Sequence, residues 1–284
     1  MKTYNEIYLQ TRNILRQRGV ESFGLEARLI VAAAADKTQE ELLRDMSLYA
    51  SSQIEDRVTG YVARRLRGEP VAYITGSWEF YGLPIITSPD VLIPRQDTER
   101  LVDTAKELLI GRKMDARILD LCCGSGCITC AIAHELPAAR FVSIDLSANA
   151  LELCRKNVDA NNLNSKAICI QADALASPPL GIGKFDMIVA NPPYIPSDEI
   201  QTLDASVKDY EPIWALDGGP DGLKFYKAII KYWKSLLYPG GHLMFEVGEG
   251  QAKDVADMMN SAGFDFVDTR KDTINVDRVV FGRM

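Results

Sequence analysis

From about residue 96 to the C-terminus the chain alternates between short apolar runs and longer stretches of helical periodicity. That alternation constrains its fold more than any single motif. Residues 116–121, 140–145, 166–170, 185–190 and 242–247 read as strands; residues 98–110, a stretch ending at Glu135, 149–161, 223–237 and 251–262 read as helices. A strand followed by a helix and another strand is a crossover that returns the chain to the same end of the sheet, so these strands are predicted to be parallel with helices on both faces. Two last runs, 264–267 and 278–282, have no helix between them, so one is expected to be antiparallel. The prediction is an α/β, doubly wound, Rossmann-like sheet of seven strands over residues 96–284.

The first seventy residues or so have another texture. Tyr4, Ile7, Tyr8, Thr11, Ile14 and Leu15 follow helical spacing until Gly19, and residues 25–35 read as a second, largely buried helix. Thr38-Gln39-Glu40-Glu41 and Ser52-Gln53-Ile54-Glu55 fit the capping box, in which hydroxyl and carboxylate satisfy orphan N–H groups reciprocally. The second box is expected to open a helix with Ile54, Val58, Tyr61, Val62 and Leu66 on one side. A small helical bundle over residues 1–72 follows, serving substrate docking or stability. Between 73 and 95, β-formers punctuated by Gly and Pro suit a β-hairpin linker.

Composition excludes several classes. No apolar run approaches bilayer length, and Met1-Lys2-Thr3-Tyr4-Asn5-Glu6 lacks an apolar core behind a basic head; a cytoplasmic protein with no membrane partner is expected. A net charge of −7 argues against a nucleic-acid partner, because phosphate contact needs a cationic surface. Four of the six cysteines crowd at Cys122, Cys123, Cys127 and Cys130, and the last two form a C-x-x-C. A redox pair or half a zinc site is one reading; small buried residues packing a turn and the helix behind it is the other. No second C-x-x-C follows, and His134 and His242 lack ligand spacing, so no metal is expected.

The chemistry-bearing segments fall at strand ends, where open α/β sheets bind ligands. Asn191-Pro192-Pro193-Tyr194 directly follows the strand at 185–190. Asn offers a carbonyl oxygen and an NH2 group, and two prolines fix φ and remove two backbone donors. The loop that remains is stiff, acceptor-rich and aromatic, suited to gripping a planar neutral NH2 group; a sharp exit from the sheet is the plainer alternative. Asp120-Leu121-Cys122-Cys123-Gly124-Ser125-Gly126 lies at the first strand-to-helix turn. A dinucleotide fingerprint would place glycines at 122, 124 and 127, and Cys stands at 122 and 127, which disfavours a nicotinamide cofactor. The shifted Gly124 and Gly126 pair resembles S-adenosylmethionine sites instead. Asp145, ending the second strand, is placed to accept from ribose hydroxyls or to cap the next helix. Asp173 is read as ending the third strand, facing either an adenine amino group or solvent.

Together these residues resemble class I S-adenosylmethionine-dependent methyltransferases, and more narrowly the bacterial release-factor glutamine methyltransferases (the HemK/PrmC family). The likeness covers nearly the whole chain: Gly68-Glu69-Pro70-Val71-Ala72-Tyr73-Ile74-Thr75-Gly76, Glu79-Phe80-Tyr81-Gly82-Leu83, Leu92-Ile93-Pro94-Arg95-Gln96-Asp97-Thr98-Glu99, the Asn191 loop, Leu216-Asp217-Gly218-Gly219-Pro220-Asp221-Gly222-Leu223 and Glu246-Val247-Gly248. The family usually has Gly where Cys122 stands and Pro where Gln96 stands, and an aromatic residue often follows the Asp matching Asp173, where this chain has Ala174. The resemblance implies methyl transfer from S-adenosylmethionine to the side-chain amide nitrogen of glutamine in the Gly-Gly-Gln motif of a peptide chain release factor, by a monomeric enzyme. It assigns catalysis to Asn191, Pro192, Pro193 and Tyr194, and cofactor binding to Cys122, Cys123, Gly124, Ser125, Gly126, Asp145, Asp173, Ala174 and Asn191. The alternatives are a ribosomal-protein glutamine methyltransferase, an adenine-N6 nucleic-acid methyltransferase using the same loop, and a non-catalytic scaffold.

Overall fold

A computed structural model describes residues 1–111 and 113–284. By internal contacts the chain forms two compact units, Met1–Ser77 with Asp204–Tyr210, and Trp78–Leu203 with Glu211–Met284.

The first unit is helical: Tyr4–Gln17, Phe23–Ala34, Gln39–Arg44, Ser52–Arg65, Val71–Thr75 and the single turn Ala205–Lys208. Leu15, Ala27, Ile30, Val31, Leu42, Val58 and Val62 are among its buried apolar residues. The Thr38–Glu41 capping box forms, with Glu41 N–H donating to Thr38 Oγ1 at 3.1 Å and Thr38 N–H to Glu41 Oε2 at 2.9 Å. The box predicted at Ser52 does not form. Ser51 caps that helix instead, accepting from Ile54 N–H, because Ser51 keeps the extended backbone a cap needs while Ser52 is already helical. Ile14 and Leu66 are exposed, so the apolar faces are narrower than their spacing suggested.

In the second unit the hairpin is shorter than predicted. Tyr73–Thr75, read from sequence as its start, instead end the first unit's helical turn Val71–Thr75, which is closed by Gly76 in the left-handed conformation. The hairpin itself is β1 (Ser77–Phe80) and β2 (Leu83–Ile86). Tyr81 and Gly82 both have positive φ between the strands, the requirement of a tight two-residue turn. Asn157 holds it down: Oδ1 accepts from Ile86 N–H at 2.7 Å, and Nδ2 donates to Ile86 O and Ser125 O.

Seven further strands build one sheet: β3 (Arg117–Leu121), β4 (Arg140–Asp145), β5 (Ala167–Gln171), β6 (Phe185–Ala190), β7 (Leu237–Glu246), β8 (Phe266–Lys271) and β9 (Asp277–Arg283). Their order is β5-β4-β3-β6-β7-β9-β8. All pairs are parallel except those with β9, which runs against β7 and β8. Alternate residues feed opposite faces, as the two-residue period of a strand demands. Ile118, Met187, Val189, Met244 and Phe281 pack with Leu101, Ile128 and Leu151 from the helices Glu99–Leu109, Cys127–Glu135 and Ala148–Ala160. Leu119, Ile188, Leu243, Phe245 and Val280 pack with Ile229 and Val255 from Lys224–Tyr232 and Ala252–Ser261.

Two predicted boundaries are corrected. The helix expected over 223–237 ends at Tyr232, and β7 begins at Leu237, because Leu237 pairs with Phe185 before an irregularity that spans Pro239-Gly240-Gly241. The strand expected at 264–267 extends over Phe266–Lys271, because β9 supplies a long antiparallel partner.

Candidate active site

The strand order reverses direction between β3 and β6, and the crevice at such a reversal is where open α/β sheets bind ligands. Register decides what stands there. Leu121 of β3 pairs with Ile144 and with Ala190, and Ala190 pairs with Phe245. Cys122, Asp145, Asn191 and Glu246 therefore emerge side by side at the carboxyl ends of four neighbouring strands.

A cleft of about 1030 Å³, open mouth included, lies over these ends. Of the residues singled out from sequence, Cys122, Cys123, Gly124, Ser125, Asp145, Asp173, Ala174, Asn191 and Pro193 line it. Gly126, Pro192 and Tyr194 do not. Gly126 has a φ of +77°, and a methyl group there would lie 2.5 Å from Cys154 Sγ, so this glycine lets the helix Cys127–Glu135 start against the helix Ala148–Ala160. Pro192 is buried, and Tyr194 is half-buried against the apolar cluster on the second face. Cys122 adopts a φ of 59°, the left-handed region that disfavours side chains with a Cβ.

Asp145 is not the cap of the helix that follows it. Ser147 is, accepting from Ala150 N–H at 3.2 Å. Asp145 instead ties the glycine turn to β4: Oδ2 accepts from Gly124 N–H and Oδ1 from Ser147 N–H, each at 2.9 Å. Burial raises its pKa against the opposing pull of these two donors. A carboxylate has about four acceptor positions, so two backbone bonds leave Asp145 with capacity facing the cleft. Asp173 stands two residues past β5, and its Oδ1 accepts from Leu175 N–H at 2.8 Å.

The Asn191 loop is held from behind. Asn191 Nδ2 donates to Thr98 Oγ1 at 3.2 Å. Gln251 Nε2 donates to the Tyr194 carbonyl at 2.8 Å, and Gln251 Oε1 accepts from Gly248 N–H at 3.0 Å. Ile195 N–H donates to Leu216 O, and Gly218 N–H donates to Ile195 O. Gly218 is required by close approach, since a methyl group there would lie 2.7 Å from Tyr194 Cα. Under Asn191 lies Glu246, 2% exposed, whose pKa burial pushes up to about 7 against the donors Thr98 and Asn191 and the cation Arg278. Thr98, Glu246 and Gln251 carried no assigned role in the sequence. Thr98 and Glu246 stood inside segments that carry the family resemblance, but their proximity to Asn191 is a matter of strand register.

Beneath the glycine turn, Asp120 is wholly buried. Its Oδ2 accepts from Thr129 Oγ1 at 2.6 Å, its Oδ1 has no partner, and desolvation lifts its pKa to about 7. Cys130 packs in the apolar core behind the turn, Cys127 packs there and also lines the cleft, and burial pushes both thiols up, Cys130 to about 12. Neutral, buried thiols of this kind pack as small hydrophobes. Among the described residues no group of three or more His, Cys, Asp or Glu is placed to hold a metal ion, and no helix is long and apolar enough to cross a membrane.

Two family patterns match the chain: the PrmC N-terminal domain over residues 6–76 and the Methyltransferase small domain over residues 98–206. The sequence is 39% identical over 282 residues to a release factor glutamine methyltransferase of Geobacter sulfurreducens, covering 99% of this chain and 97% of that protein. It is 36% identical over 280 residues to a release factor glutamine methyltransferase of Caulobacter vibrioides, covering 99% of this chain and 96% of that protein. Among solved structures, a methyltransferase from Pyrococcus furiosus superposes with a TM-score of 0.53 at 17% identity, covering 79% of this chain and 98% of that one, a likeness of fold.

Proposed function

Because this chain belongs to the release factor glutamine methyltransferases, we propose that it transfers a methyl group from S-adenosylmethionine to the side-chain amide nitrogen (N5) of the glutamine in the Gly-Gly-Gln motif of peptide chain release factors. The observation that carries this reading is Asn191 at the strand reversal. Its NH2 group is tied to Thr98, which leaves Oδ1 as the acceptor at the cleft.

The donor set of the cleft fits S-adenosylmethionine. A methyl group built on Gly124 meets nothing within 4 Å, so the turn faces open space. Asp145 keeps acceptor positions that suit ribose hydroxyls, and Asp173, which lines the same cleft, is our candidate acceptor for the adenine amino group. Cys122, Cys123, Ser125 and Gly126 shape the turn, while Ala174 adds no aromatic face and Phe225 lines the same cleft. S-Adenosylmethionine supplies an electrophilic methyl group on a sulfonium centre.

The protein's part is positioning and electrostatics. An amide nitrogen is a weak nucleophile because its lone pair is delocalised into the carbonyl. Asn191 Oδ1 and the Pro192 carbonyl accept its two N–H bonds, orient the nitrogen and favour pyramidalisation. Positive charge grows on that nitrogen during transfer, and two fixed acceptors stabilise it. Orientation contributes further, on a scale that reaches ~7–11 kcal/mol in well-aligned systems. Tyr194 anchors the loop on the second-face apolar cluster, and Pro193 stiffens it at the cleft. The product proton leaves to water. Residues 1–72 dock the protein substrate, 73–95 link, and 96–284 carry the methyl transfer.

The test uses a release factor in its natural form and with the Gly-Gly-Gln glutamine replaced, alongside DNA and RNA, all with labelled cofactor. Label should appear only on that glutamine by mass spectrometry. Label on nucleic acid would overturn the assignment. Asn191→Ala should bind cofactor normally and lose roughly 2.7–4 kcal/mol of transition-state stabilisation, the scale for one preorganised polar group; near-normal turnover would reject the mechanism.

A further inference from the structure

Glu246 ends β7 directly behind Asn191, outside the cleft and almost wholly buried. Glu246 lies near the Thr98 hydroxyl and the Asn191 amide, yet its Oε2 has no hydrogen-bond partner, and Thr98 Oγ1, which accepts from Asn191, still has its own proton to direct. A buried carboxylate oxygen without a partner is costly, and such groups in native proteins call for an explanation. Thr98 is itself buried and has one hydroxyl proton. With that proton directed at Glu246, only lone pairs remain for Asn191, and lone pairs can be met only by the NH2 end of a carboxamide. The bond from Asn191 Nδ2 to Thr98 Oγ1 has this polarity.

We infer that Glu246 is a positioning residue which, through Thr98, dictates that the Asn191 carboxamide presents its oxygen and not its NH2 group to the cleft. The inference rests on the proposed role of Asn191 as acceptor for the substrate amide. A flipped Asn191 would place a donor against the donor NH2 of the substrate and abolish the grip. Only the ionised carboxylate is acceptor-only. Protonated, Glu246 can donate as well, and either amide orientation is then satisfied. Burial brings its titration to about 7, with Arg278, Asp97, Tyr194, Tyr226 and Cys127 the titratable or charged groups that face it.

The experiment compares Glu246→Gln, Thr98→Val and Asn191→Ala with the wild type, using a purified release factor as methyl acceptor. Glu246→Gln is nearly isosteric and can donate, so it should lower kcat by ~10–100-fold, the scale for residues that orient a reacting group. The KM for release factor and the calorimetric Kd for cofactor should both stay within about threefold, since neither contact is removed. Thr98→Val should reproduce the kcat loss. Wild-type kcat should fall as pH drops through about 7, and this limb should vanish in Glu246→Gln. NMR titration of labelled glutamate carboxyls in the cofactor-free protein should show one group titrating near 7 that is missing in Glu246→Gln. Wild-type kcat in Glu246→Gln with Asn191→Ala inactive would overturn this inference alone; turnover in all three variants would overturn the reading of Asn191. Should Glu246→Gln fail to fold, Thr98→Val decides, and normal kcat there counts against the relay.

Discussion

Replacing Gly126 with alanine should damage both stability and the cofactor turn, and its cost can be worked from geometry. Gly126 starts the helix Cys127–Glu135 with a φ of +77°. A residue with a Cβ in the left-handed region costs roughly 1–2 kcal/mol. The new methyl would lie 2.5 Å from Cys154 Sγ, 3.2 Å from its Cβ and 3.4 Å from its Cα. Cys154 is fully buried between the two helices, so its sulfur has little room to move, and overpacking of this kind costs ~1–3 kcal/mol. The sum is about 2–5 kcal/mol. Urea denaturation of Gly126→Ala, Cys154→Ala and the double variant separates the two terms, because removing the sulfur relieves the clash but not the backbone strain. The double variant should recover ~1–3 kcal/mol relative to additivity, and the backbone share should persist. Additive behaviour within ~0.5 kcal/mol would refute the packing argument, and wild-type stability in Gly126→Ala alone would refute both.

Three further outcomes follow from named contacts. Asp145→Ala should weaken S-adenosylmethionine binding, measured by calorimetry, through loss of the acceptor and release of Gly124; unchanged affinity would remove Asp145 from the site. Asp120 has a pKa raised from 3.8 to about 7, so the folded protein holds this proton more tightly than the unfolded chain does. The stability it contributes is fully present below about pH 4 and declines as pH rises through 7, by up to about 4 kcal/mol. Asp120→Asn cannot ionise, and its stability relative to wild type should therefore rise between pH 5 and pH 8 in urea titrations; a constant difference would exclude a buried proton at Asp120. Cys122→Gly removes the strain of a φ of 59°, worth roughly 1–2 kcal/mol, but adds unfolded-state entropy of ~0.5–1 kcal/mol. The balance runs from about zero to a gain of ~1.5 kcal/mol, and a loss above ~2 kcal/mol in the same assay would mean that the Cys122 side chain packs usefully.

Sequence by itself determined the α/β class, the parallel strands with one reversed near the end, the helical N-terminal segment and the loop of stiff acceptors after β6. It could do so because those features are written in local periodicity, in proline and glycine, and in one contiguous loop. Only the tertiary structure decided which strands are neighbours. Register put Asn191 beside Glu246 across β6 and β7, placed Thr98 at the Asn191 amide, and let Gln251 grip the Tyr194 carbonyl over 57 positions of chain. It also showed Ser147, not Asp145, as the helix cap, and Gly126 as a packing residue rather than a cleft wall. These are contacts between residues far apart in the chain, and no local pattern encodes their partners. Burial sets the pKa of Asp120 and Glu246 for the same reason: desolvation is a property of the assembled surroundings, and a carboxyl carries no mark of it in its own segment.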